Sequence, residues 1–81
     1  MKYTFRWLKV KCYDDLECDQ FIDADAPEII IFTDEDIALR EAERILNLYN
    51  VRDVVAVNIY RDVNILTQID TIIHKDWTPR K

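Results

Sequence analysis

The sequence predicts an α+β fold: one small domain, elements in the order β-β-α-β-β, a single helix packed on a mainly antiparallel sheet. Three observations predict it. Only one segment carries apolar residues at helical period, several others alternate at period two, and 81 residues are too few for two ordinary domains. Size scaling has such a chain bury roughly 60–65% of its unfolded surface, enough for one modest core. The expected limits are 1–75 for the domain and 76–81 for a flexible C-terminal tail, with Trp77 its only anchor.

Residues 2–13 read as a strand, rich in aromatic and β-branched side chains, with Tyr3, Phe5 and Trp7 alternating on one face. The apolar parity then flips to Leu8, Val10 and Cys12. Such a flip predicts a bulge near Trp7 or a strand covered on both faces. Residues 14–27 read as a polar connection around Phe21 and Ile22, with room for a short strand at 20–23. Residues 28–33, introduced by Pro27, read as a short buried strand.

The Thr33 hydroxyl is the expected helix N-cap, and Asp34, Glu35 and Asp36 suit the positive end of the helix dipole. Ala38, Ala42, Ile45, Leu46 and Tyr49 then form one apolar stripe. On the opposite side Asp36–Arg40 and Arg40–Glu43 are spaced for weak ion pairs. The helix is expected to end near 48–50, with Asn50 in the left-handed conformation that glycine usually takes. Tyr49 and Asn50 alone would then link it to the next strand, setting the two side by side.

Residues 51–61 place Val55, Val57 and Ile59 opposite Val54, Ala56, Asn58 and Tyr60. Residues 64–75 place Ile65, Thr67, Ile69, Thr71 and Ile73 opposite Leu66, Gln68, Asp70, Ile72 and His74. A tight hairpin at 62–64 joins them. One helix covers one sheet face, so the other, carrying Tyr60, Leu66 and Ile72 among polar groups, or their alternates if the parity is reversed, invites a partner.

The composition excludes more than it names. Glycine is wholly absent, which removes the P-loop, the dinucleotide turn, the KH clamp and the EF-hand loop. Serine is absent too, so no serine-nucleophile triad exists. Lys2 and Arg6 interrupt any signal-peptide core, and apolar runs such as Ile29-Ile30-Ile31-Phe32 fall far short of a membrane span. A cytoplasmic protein without membrane contact is expected. Cys12 and Cys18 are too few for a disulfide scaffold and read as a reduced pair. Cys12 suits burial, whereas the carboxylates around Cys18 disfavour its thiolate.

The net charge of −5 conceals strong polarisation. Residues 1–13 carry four bases and no acid, and residues 14–36 carry ten acids and no base. From the acidic segment, Asp14, Asp15, Glu17, Asp19, Asp23, Asp25 and Glu28 are the candidate partner-binding residues, together with Tyr60, Leu66 and Ile72. The plain alternative is a solvated loop whose acids balance the basic first strand. Asp19, Asp23, Asp25 and Glu28 could instead offer oxygen ligands to a divalent cation, although EF-hand spacing is missing. Lys2, Arg6, Lys9 and Lys11 interleave with Tyr3, Phe5, Trp7 and Tyr13, a mixture suited to single-stranded nucleic acid. The adjoining acids and the lack of an RNP1 segment disfavour nucleic acid. His74, the only histidine, has no nucleophile or metal-ligand spacing around it and reads as an exposed strand-end residue. No cofactor, metal site or catalytic residue is expected. The expected role is a non-enzymatic protein-interaction module that binds a protein partner or self-associates as a homodimer.

Overall fold

Tyr3, Phe5 and Trp7 set three rings along one side of a nine-residue strand, and the rest of the chain is arranged around that strand. A computed structural model describes residues 1–61 and 67–78. The strands are β1 (Lys2–Val10), β2 (Phe21–Asp23), β3 (Ile29–Phe32), β4 (Ala56–Arg61) and β5 (Gln68–Ile73), with one helix, α1 (Glu35–Leu46). All pairings are antiparallel. On one side of β1, β2 meets residues 8–10 and β3 meets residues 2–5. On the other side lies β4, and then β5. The fold is α+β as the periodicities predict, and the optional strand at 20–23 exists, making five strands.

Because β3 and β4 each run antiparallel to β1, they are parallel to one another, and α1 carries the chain across β1 between them. Its stripe packs Ala38, Ala42 and Leu46 onto Tyr3, Phe5, Trp7, Val57 and Ile59. Alanine at two of the three contact positions lets the helix axis approach the rings closely. Ile29, Ile31, Ile69 and Ile72 extend this core toward both edges. At the far end of β1 a second cluster joins Val10, Val55 and Ala56 to Leu8, Phe21 and Trp77. The parity flip after Trp7 thus marks a strand covered on both faces, with a different core on each. Trp77 meets Phe21 edge-on at 5.8 Å.

Several local expectations are corrected. Asp34, not Thr33, is the N-cap, and no side chain caps the helix. The backbone of Thr33 is instead paired with Met1. At the other end Asn47, right-handed at φ −78° and ψ −3°, is the C-cap. Asn50 builds the following turn: its carbonyl accepts from Asp53 and Val54, and its side chain from the Arg52 N–H. Residues 47–55 therefore form the link to β4, longer than the two residues expected.

The β5 register also differs from the parity read in the sequence. Ile72 pairs with Val57 and so lies on the helix-covered face, not beside Tyr60. The register shift between Ile59 and Tyr60 leaves Ile69 on the helix side, as the parity expects, but turns Ile73, paired with Ala56, to the open face. Two parity assignments on one strand fail because a bulge adds a residue, which period-two counting does not see. Leu66 and the hairpin at 62–64 lie outside the described residues.

His74 is 3% exposed, against the expectation of an exposed strand end. Its Nε2–H donates to the Tyr49 carbonyl at 2.8 Å, and its Nδ1 accepts from the Asp76 N–H at 3.0 Å. Those two backbone partners fix the tautomer. Cys12 is exposed rather than buried, because β1 ends at Val10 and the chain turns away.

Candidate interaction surfaces

The acids of segment 14–36 are strung along the sheet margin. Glu28 lies across the β1–β3 pair from Arg6, with Nε and Oε2 at 2.8 Å. Asp25 stands 3.7 Å from the Lys9 ammonium, and Asp14 meets Arg52 at 2.5 Å. Asp15 accepts the Glu17 N–H, which is turn chemistry. Asp23 ends β2 opposite Leu8, while Glu17 and Asp19 are exposed on the connecting loop. Among the described residues, no three histidine, cysteine or carboxylate side chains converge to hold a metal ion. Glu35 binds Arg61 at 3.1 Å, and that hydrogen bond raises the guanidinium pKa further above its ordinary value. Arg61 is therefore a permanent cation at the foot of α1.

The first strand spends its aromatic side chains on the core. Tyr3, Phe5 and Trp7 are buried, so they offer no free ring to a nucleobase. The Lys2 ammonium lies 6.0 Å from the Phe32 ring, Arg6 and Lys9 are ion-paired, and Tyr13 carries the Arg52 guanidinium at 5.1 Å. A cleft of about 470 Å³ beside this strand is lined by Lys9, Lys11 and Arg52 together with Asp25 and Asp53. Both signs of charge meet there, so its walls favour neither anions nor cations.

The sheet face away from α1 explains why one helix suffices. Its centre is polar: Asn58 Oδ1 accepts from Thr71 Oγ1 at 2.7 Å and from Gln68 Nε2 at 3.3 Å. Arg6, Glu28 and Thr4 continue this strip across β1 and β3. Tyr60 lies on this face as expected, yet it is only 8% exposed. Of the three apolar residues singled out in the sequence, Tyr60 is enclosed, Ile72 faces the helix, and Leu66 is outside the described residues.

The exposed apolar groups on this face are others: Ile73 of β5, 43% exposed, and a pair on β3. Phe32 is 77% and Ile30 48% exposed, on the register positions opposite Lys2 and Thr4. By composition alone the run Ile29–Phe32 reads as uniformly buried. The missed signal is arithmetic: with one helix available, a four-residue strand at the sheet edge leaves every second side chain uncovered.

Backbone polarity distinguishes the two sheet edges. Thr33 N–H donates to the Met1 carbonyl at 2.9 Å, and the Met1 amino group donates to the Thr33 carbonyl at 3.2 Å. Antiparallel alternation then directs the groups of Ile29 and Ile31 at β1, and those of Ile30 and Phe32 off the sheet. On β5, the His74 N–H donates to Val55, so Thr71 is an outward residue there. Its N–H is taken by Asp70 Oδ1 at 2.8 Å. One edge is capped by its own side chain and kinked by a bulge. The other presents bare backbone beside two exposed apolar side chains.

No helix among the described residues is long and apolar enough to cross a membrane. Comparison with protein-family models, curated proteins and solved structures gives no match to this chain.

Proposed function

We propose that the protein is a non-enzymatic protein-interaction module. Its binding surface is the β3 side of the open sheet face, rimmed by the acids of segment 14–36. The observation that carries this reading is the pair Ile30 and Phe32, apolar and exposed on a face whose centre is otherwise polar. Water contact with such a pair is unfavourable by about 25 cal/mol per Å² of apolar surface, and a partner relieves it. The polar strip through Asn58, Thr71 and Arg6 gives the rim hydrogen bonds that fix orientation. A cytoplasmic setting suits the two unbonded cysteines, of which Cys12 is exposed.

The test is crosslinking and affinity capture with the wild type, Phe32→Asp and Leu16→Asp. Leu16 is 73% exposed on the loop between β1 and β2, so its substitution controls for any added carboxylate. The reading expects one partner retained by the wild type and Leu16→Asp, and lost by Phe32→Asp. Equal retention by all three would sink it.

A further inference from the structure

We propose that the partner binds by strand addition: an extended segment, apolar in its centre and basic at both ends, pairs antiparallel with β3. This rests on the surface assignment above and adds the mode of binding and the chemistry of the occupant.

Three features of the β3 edge converge. Its outward N–H and C=O groups belong to Ile30 and Phe32, whose side chains are also the exposed ones. An incoming strand therefore gains ladder hydrogen bonds and apolar contact at the same two residues. The competing edge, β5, is blunted at Thr71, whose outward N–H Asp70 occupies, and carries one exposed apolar side chain, Ile73, against two on β3. Finally, carboxylates flank β3 at both ends. Asp23 stands beyond one end, and Asp34 and Asp36 beyond the other, with no ion pair to any of them among the described residues. A strand with lysine or arginine at its ends complements both sites.

The same charges argue against a second copy of this chain. Antiparallel pairing of two β3 strands that sets Ile30 opposite Phe32 also sets Glu28 of one copy opposite Asp34 of the other. The two-fold axis repeats that clash, and like charges directly opposite destabilise a strand pair.

The probe is a short synthetic peptide with a valine-rich centre and lysines at both ends, added to isotope-labelled wild-type protein. Binding is expected to move the amide signals of Ile30 and Phe32 and to slow their hydrogen exchange by about tenfold or more. Affinity should fall as salt is raised, and a glutamate-ended peptide should not bind. N-methylation of the peptide amides that face β3 should abolish binding without touching the protein fold. Binding that survives N-methylation overturns the proposal, as do perturbations centred on residues 68–73. A dimer in light scattering, broken by Phe32→Asp, overturns it in favour of self-association. If capture in the preceding experiment depends on Phe32 while the peptide leaves the Ile30 and Phe32 amides unmoved, strand addition fails and the surface reading stands. If capture ignores Phe32, the surface reading fails.

Discussion

The imidazole Nε2 of His74 lies 2.8 Å from the carbonyl oxygen of Tyr49, so the residue after the last strand is bonded to the segment leaving the helix. The other ring nitrogen accepts the Asp76 N–H, and the Lys75 N–H reaches the Asn47 side chain. The chain beyond β5 is thereby fastened to the exit of α1.

Replacing His74 with leucine removes a donor and an acceptor while leaving the Tyr49 carbonyl and the Asp76 N–H inside. Each stranded group costs about 1–3 kcal/mol, so a total loss of about 2–6 kcal/mol is expected. His74→Gln, which can restore one of the two bonds, should lose about half as much. Urea midpoints at constant m-value check both.

Phe5 and Phe32 make a controlled comparison within one strand pair. Phe5 is fully buried beneath α1, and Phe5→Ala should cost about 3–5 kcal/mol. Phe32→Ser removes an exposed ring that lies 6.0 Å from the Lys2 ammonium, and should stay within about 0.5 kcal/mol of wild type. Thermal or chemical denaturation of the two variants measures the contrast. Equal losses would mean that Phe32 is a core residue.

Trp77 holds the smaller cluster through its edge contact with Phe21. Trp77→Ala is expected to cost about 1–3 kcal/mol, with faster amide exchange in residues 11–20 and little change in α1. Uniform acceleration across the whole chain would contradict a separate second cluster.

Asp34 caps α1 by position, yet its carboxylate makes no cap hydrogen bond. Asp34→Ala should therefore lose only the charge–dipole contribution, about 0.3–1 kcal/mol at low ionic strength, and added salt should erase most of it. A loss of about 2 kcal/mol that resists salt would instead reveal a true cap.

The elements of this fold were legible wherever one period dominated. The stripe from Ala38 to Leu46 and the alternation of Tyr3, Phe5 and Trp7 placed the helix, the central strand and the face that joins them. Even the parity flip at Leu8 reported something real, a second cluster on the reverse face. What escaped depends on events that leave no periodic trace. The shift between Ile59 and Tyr60 moved Ile72 to the covered face, and tertiary contacts buried a histidine that reads as a strand end. The site residues fared worst, because exposure of Ile30 and Phe32 follows from β3 being an edge strand, which is a property of sheet order. The acids were visible from the outset. Their pairing with Arg6, Lys9 and Arg52 was foreseeable only as overall balance, since partners 16 to 38 residues apart are chosen by the fold.

The break between β2 and β3 has a consequence for how this protein coexists with itself. An apolar β-branched run such as Ile29–Phe32 on an open edge is the kind of segment from which fibrils grow. Here residues 24–28 interrupt that edge, Pro27 supplies no N–H, and the Trp7 indole clasps the Pro27 carbonyl at 3.0 Å. What remains is a slot of one strand's length between two breaks, with the opposite edge blocked at Thr71 by Asp70. Four residues fall short of the about six or seven that stack into fibrils, so the breaks protect by limiting the length of strand on offer.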